Sequence, residues 1–195
     1  MLNNKSKIGL FFGSFNPIHI GHMMIAEYMA EFTDLSEVWF VVSPQNPHKQ
    51  KLTMLNERER LHMVQLAIGK DIRFKTSDIE FYLPKPNYTI NTLTYLSEKH
   101  PTKQFVLIIG GDNLQSFKKW KNYEKILEYY YLYVYKRQVS IKNNELLGSR
   151  VTIVDAPQIE ISSSFIRKSI AAEKCVRYFL PREVDDYIKH MNYYR

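Results

Sequence analysis

The residues Ile8–His22, IGLFFGSFNPIHIGH, constrain this chain more than any other stretch. Ile8–Phe12 has the length and apolar content of a buried strand. It runs into Gly13 and the turn-prone Ser14-Phe15-Asn16-Pro17, and His19-Ile20-Gly21-His22 then opens a helical pattern. A strand that turns sharply into a helix leaves the first helical N–H groups unpaired above the sheet, next to the positive end of the helix dipole. Phosphate is the ligand such a junction favours. His19 and His22 share one side of the first helical turn, so both can face one bound anion. A lone histidine here would be incidental in most α/β proteins. Two of them, with Gly13, Asn16-Pro17 and Gly21 at one junction, make a specific pattern. It is neither a Walker loop nor a GxGxxG fingerprint.

A chain of 195 residues suits one well-buried domain. Its 45% hydrophobic and 24% charged content are those of a soluble globular protein. The polar start MLNNKSK lacks the features of a signal peptide, and no apolar run approaches the roughly 18 residues of a membrane helix. The single cysteine, Cys175, excludes an internal disulfide and suits a reducing cytoplasm. As a small hydrophobe it is expected to be buried. The net charge of +7 suits anionic ligands, but the basic residues are spread along the chain rather than gathered into an arm. No nucleic-acid or membrane partner is expected.

Further strands are expected at Glu37–Val42, Ile72–Thr76, Phe105–Ile109, Tyr131–Tyr135 and Val151–Val154. The tyrosine-rich 129–135 stretch reads as a core strand rather than a stacking platform. Helices are expected from Gly21 to Phe32, from Asn56 (with Glu59 completing a capping box), from Asn87 or Thr89 to His100, near Tyr123–Tyr129, from Ser162 to Ala172, and from Pro181 to Asn192. This alternation predicts an α/β fold, a single-domain doubly wound parallel sheet spanning residues 1–195. Ligands bind such sheets beyond the carboxyl ends of the strands. The unusual segments Gly13–His22, Ser43–Lys49, Gly110–Asn113 and Ser162–Arg167 all follow strands.

Ile161-Ser162-Ser163-Ser164-Phe165-Ile166-Arg167 is the second informative stretch. Hydroxyls at a helix start lie beside free backbone N–H groups, and Arg167, about a turn later, adds a guanidinium fork suited to phosphate. Alone, the stretch would read as a serine cap and a surface arginine. Chemistry on a bound phosphate needs alignment and charge neutralisation more than acid–base groups. The sequence accordingly shows no Ser-His-Asp triad, carboxylate dyad or zinc-spaced Cys/His cluster. No resident metal site is read. Any magnesium would arrive on the oxygens of a bound phosphate ligand.

The first stretch resembles the GxFNPxHxGH motif of the nucleotidyltransferase superfamily, related to the HIGH motif of class I aminoacyl-tRNA synthetases, and residues 161–167 resemble its ISSxxxR signature. Pro44–Lys49, Asn87–Leu93 (against SYTxxTL), Ile109–Asp112 with Trp120 (against IGxD…W) and Tyr178–Val184 resemble stretches of the bacterial nicotinate-nucleotide adenylyltransferases across nearly the whole chain. The resemblance implies a Rossmann-like nucleotidyltransferase fold in which residues 162–195 complete the ATP site. It implies adenylyl transfer from ATP to nicotinate mononucleotide, with magnesium accompanying ATP. By that resemblance His19, His22 and Arg167 are catalytic, while Gly13, Ser14, Phe15, Gly110, Asp112, Ser162 and Ser163 bind ATP. Asn46, Lys49, Tyr88, Thr89 and Trp120 bind the mononucleotide. Backbone N–H groups near Thr89 would favour the nicotinate carboxylate over a neutral amide. Two positions depart from the family pattern: Lys121 stands where an aromatic residue often follows the tryptophan, and Asn16 where aspartate is frequent.

Phosphopantetheine adenylyltransferase would share the first and last motifs, and the 43–49, 88–93 and 110–120 stretches favour the pyridine nucleotide enzyme. A synthetase-like RNA-binding module would need a KMSKS-like signature or a basic arm, neither of which is found. A silent nucleotide sensor fits poorly with intact His19, His22 and Arg167. Assembly into a homo-oligomer is compatible with the sequence, which does not specify it.

Overall fold

A computed structural model of the chain describes residues 6–44, 54–136 and 148–195. Its strands are β1 (Ser6–Gly13), β2 (Glu37–Val42), β3 (Phe74–Ser77), β4 (Lys103–Gly110), β5 (Tyr131–Tyr135) and β6 (Val151–Val154). They form one six-stranded sheet in the order β3-β2-β1-β4-β5-β6. Every neighbouring pair is parallel. The strand order reverses between β1 and β4, which pair from Ser6 against Lys103 to Phe11 against Ile108. That reversal opens a crevice above Gly13 and Gly110, the usual ligand position in an open α/β sheet.

Parallel strands need long crossovers, and the helices supplying them cover both faces of the sheet. The alternation of side chains is visible within β4, where Val106 and Ile108 join one core cluster while Phe105, Leu107 and Ile109 join the other. The first face receives α1 (Ile20–Phe32), α2 (Glu57–Ile68), α6 (Ser163–Ala171) and α7 (Arg182–His190), through Met29, Met63, Ile166, Val184 and Ile188 among others. The second receives α3 (Thr89–Lys99), α4 (Gly111–Gln115) and α5 (Tyr123–Tyr129), through Leu93, Leu114 and Ile126. Because α6 and α1 share a face, the serine-rich segment and the histidine pair come to the same side of the sheet top.

Several local expectations are corrected. The third strand starts at Phe74 rather than Ile72, because Asp71 accepts the Arg73 N–H (3.0 Å) in a tight turn that leaves Ile72 exposed. The cap of α3 is Tyr88, not Asn87 or Thr89, since Asn87 Nδ2 donates instead to the Glu80 carbonyl (2.9 Å). Asn56 caps α2 by accepting from the Arg58 N–H. Glu59, however, accepts the hydroxyls of Tyr187 (2.6 Å) and Tyr193 (2.8 Å), which makes it a link from α2 to the segment around α7. These hydroxyls hold the Glu59 carboxyl below the usual range. Pro181 stands at the N-cap of α7 rather than inside its first turn, and the helix stops at His190, ahead of Asn192 at φ +54°. Cys175 is exposed, and Val176 takes the buried position in that turn.

Ile166 is fully buried and ties the arginine-bearing helix to the sheet. Ile166→Ala should cost about 2–4 kcal/mol in urea unfolding, the usual loss for such a truncation. A loss under about 1 kcal/mol would show that α6 is not held through this residue.

Candidate functional site

The junction after β1 is built on Phe15. Its backbone lies in the left-handed region at φ 44°, and its side chain is buried beneath the turn. The ring packs edge-on against Phe11 (5.8 Å), Phe40 (5.6 Å) and His22 (5.1 Å). A Cβ on Gly13 would stand 2.7 Å from this ring, so close an approach requires glycine. A non-glycine residue at positive φ persists only where its surroundings hold it, and here three aromatic contacts do so.

His19 is the N-cap of α1, and its N–H donates to His22 Nδ1 (3.2 Å). The two imidazoles stack with centroids 3.7 Å apart and planes 25° from parallel. With Nδ1 of His22 accepting, the proton of its neutral ring resides on Nε2, which makes that nitrogen a donor. The expectation that both rings sit together at the first turn is met by this geometry.

Residues 162–167 close on the same junction from the other end of the sequence. Ser162 Oγ caps α6 by accepting the Phe165 N–H (3.1 Å). Ser163 Oγ donates to the Pro17 carbonyl (2.9 Å). Arg167 NH1 donates to the Asn16 carbonyl (2.7 Å) and its NH2 to Ser164 Oγ (3.3 Å). A cavity of about 250 Å³ opens beside this seam, bordered by His19, His22, Tyr135, Lys136, Ile159 and Ser162. Gly110, at the end of β4, pairs with Tyr135. A side chain there would run into Asp112 Oδ1 and lie 3.2 Å from the Tyr135 hydroxyl, so Gly110, Asp112 and Tyr135 adjoin one another.

Tyr88 and Trp120 belong to the other face of the sheet. Trp120 packs on Phe117 (5.0 Å) against the second core, and Lys121 Nζ lies 4.2 Å from the centre of the Tyr88 ring. Lys121 thus joins the tryptophan segment to the start of α3, whose first residue is Thr89. Asn46 and Lys49 lie outside the described residues.

Three contributors escaped the sequence reading. Arg60, 1% exposed, donates from Nε to the Leu55 carbonyl (3.0 Å) and from NH1 to the carbonyls of Ser14 (2.5 Å) and Ser43 (2.8 Å). It holds the turn after β1 against the exit of β2. Burial pulls its pKa down. The signal lay in helical spacing, since Arg60 shares the inward face of Met63 and Val64. Glu80 is buried, accepts the Thr92 hydroxyl (2.9 Å) and is hydrogen-bonded by Ser43; burial pushes its pKa up while these hydroxyls oppose the shift. The third is Tyr194, whose hydroxyl donates to Asn16 Oδ1 (2.8 Å). Among the described residues no group of three or more His, Cys, Asp or Glu could hold a metal ion, and no helix is long and apolar enough to cross a membrane.

Comparison with known proteins bears on the family and the fold. The family model described as cytidylyltransferase-like matches residues 10–169. A Cytophaga hutchinsonii protein named "Probable nicotinate-nucleotide adenylyltransferase" is 53% identical over 96% of this chain and 98% of its own length. A Bacteroides thetaiotaomicron protein of the same name is 44% identical over 96% of this chain and 93% of its own. Among solved structures, a Plasmodium falciparum nicotinic acid mononucleotide adenylyltransferase complexed with NaAD superposes with a TM-score of 0.80 at 21% identity, covering 97% of both chains, and so shares the fold.

Removing Arg60 would leave the part-buried carbonyls of Leu55, Ser14 and Ser43 without this partner, at up to about 1–3 kcal/mol each where water does not replace it. Arg60→Met is therefore expected to lower the stability measured in urea by at least about 2 kcal/mol. Wild-type stability would mean these carbonyls find other partners.

Proposed function

Since this chain belongs to the cytidylyltransferase-like family, among its nicotinate-nucleotide adenylyltransferases, we propose that it transfers the adenylyl group of ATP to nicotinate mononucleotide, giving deamido-NAD and pyrophosphate in NAD biosynthesis. The observation that carries this reading is the seam itself: Arg167 reaches Asn16 across the top of the sheet, beside the stacked His19 and His22. One domain spanning 1–195 accounts for it, with residues 162–195 completing the ATP site.

The mononucleotide phosphate oxygen attacks the α-phosphorus of ATP. A P–O bond forms as the bond to the bridging oxygen of the β-phosphate breaks, and pyrophosphate leaves with that electron pair. His22 donates its Nε2–H to an α-phosphate oxygen, where charge gathers in the in-line transition state, and His19 lies against the same phosphate. The backbone of Gly13, Ser14 and Phe15 lines the phosphate turn. Ser162, Ser163 and Arg167 hold the β- and γ-phosphates, the guanidinium matching two oxygens at once. Gly110 and Asp112 take the ribose hydroxyls. The adenine lies in the cavity bordered by Tyr135 and Ile159. Tyr88, Thr89 and Trp120 hold the pyridine ring, and Asn46 and Lys49, which follow β2 in the sequence, serve the mononucleotide.

Magnesium fits as a companion of the triphosphate: it prefers phosphate and water oxygens, and among the described residues no group of three or more His, Cys, Asp or Glu competes for it. When bound, it neutralises charge on the phosphates. The substrates are small molecules. A carboxylate on the pyridine ring gains from the amides that open α3 and from the nearby Lys121 ammonium, whereas a neutral amide gains less.

Pyrophosphate release with ATP and magnesium should require nicotinate mononucleotide. Release with 4′-phosphopantetheine but not with nicotinate mononucleotide would overturn the assignment. His22→Ala should lower kcat by at least about a hundredfold, the size of losing one transition-state donor; undiminished turnover in the folded variant would remove the role given to His22. The kcat/KM for nicotinate mononucleotide should exceed that for nicotinamide mononucleotide, and equal values would contradict the carboxylate argument.

A further inference from the structure

The turn that follows α7 contains two adjacent tyrosines with different partners. Tyr193 donates its hydroxyl to Glu59 on α2. Tyr194 donates to Asn16 Oδ1 (2.8 Å), inside the turn between β1 and α1. Asn16, 3% exposed, is a junction: the same Oδ1 accepts the Leu55 N–H (3.2 Å), and its backbone carbonyl accepts Arg167 NH1 (2.7 Å). The Tyr194 phenol is largely buried, close enough to both Arg60 and Arg167 for their charges to act on it, although burial dominates and pushes its pKa up. To reach this place the backbone adopts φ +65° at Tyr194 and φ +54° at Asn192. Side-chain-bearing residues seldom adopt that region unless surrounding contacts hold them there.

We infer that Tyr194 is a positioning residue for ATP: its hydroxyl fixes the Asn16 side chain, and through Asn16 it sets how Arg167 and the turn after β1 meet around the polyphosphate. The inference rests on the ATP site proposed above. Tyr194 touches no substrate in this arrangement. It acts on the residue that carries the Arg167 contact, so its removal loosens the phosphate-binding half of the site and leaves the mononucleotide half, around α3, as it was. Tyr193 provides the internal comparison. Its hydroxyl makes a bond of the same length (2.8 Å), but to Glu59 on α2 rather than to a residue of the phosphate turn.

The test compares Tyr194→Phe with Tyr193→Phe in full-length protein, measuring KM for ATP, KM for nicotinate mononucleotide and Tm. Tyr194→Phe is expected to raise KM for ATP about three- to tenfold, the range set by losing one hydrogen bond, with KM for nicotinate mononucleotide within about twofold of wild type. Tyr193→Phe is expected to lower Tm while leaving both KM values as in wild type. ATP affinity by calorimetry at low temperature gives the same comparison should Tyr194→Phe unfold in the assay. An unchanged KM and affinity for ATP in Tyr194→Phe, or equal increases in both KM values, would overturn the inference. His22→Ala and Arg167→Ala, measured alongside, separate it from the site itself. If those variants impair turnover and Tyr194→Phe leaves ATP binding intact, only the brace is wrong. If they behave as wild type, the phosphate site lies elsewhere and the inference falls with it.

Discussion

The hydrogen bond from the Arg167 guanidinium to the Asn16 carbonyl joins segments separated by 151 positions in the sequence. The candidate site exists because of this closure. Each half alone offers little: a strand-to-helix turn with two histidines, and a serine-capped helix with an arginine. Brought together they supply backbone amides, an imidazole donor and a guanidinium fork around one small volume. Such a collection of fixed donors suits a polyanion whose charge shifts during transfer, since donors already in place need no rearrangement as the reaction proceeds.

The layers of the fold make the closure possible. Parallel strands put Gly13 and Gly110 at the same, carboxyl-terminal end of the sheet, and the reversal of strand order between β1 and β4 leaves room above them. Ile166 anchors α6 on the face already occupied by α1, and the packing of α7 against α2 carries Tyr193 and Tyr194 to Glu59 and Asn16. Arg60 works from below, a buried cation satisfied by the carbonyls of Leu55, Ser14 and Ser43. A buried charge of this kind is costly to desolvate, and it is retained where it ties the two loops that border the crevice.

Much of this was legible in the sequence, for identifiable reasons. The strand–turn–helix at Ile8–His22 combines a period change with glycine and proline punctuation, and such signals are local. β2, β5, β6 and α5 appear at their expected bounds because each is a short apolar or periodic run. Two of the errors share a cause, in that side chains chose distant partners over near ones. Glu59 looked like half of a capping box and instead receives two tyrosine hydroxyls from the region of α7. Asn87 looked like a helix cap and instead holds the Glu80 carbonyl. Cys175 looked like a core residue by type and is exposed in the segment after α6. The roles of Arg60, Glu80 and Tyr194 depend on contacts that no local pattern specifies; only Arg60 left a trace, in its helical register with Met63 and Val64.

The central claim is that one polyphosphate site is assembled from the turn after β1 and the start of α6. A crystal structure with a non-hydrolysable α,β-methylene analogue of ATP tests it most directly. The account predicts the α-phosphate at hydrogen-bond distance from His22 Nε2, with the terminal phosphates on Ser163 and Arg167 and the base in the cavity beside Tyr135. Phosphate density away from that seam, with no contact from His22 or Arg167 to the analogue, would contradict it.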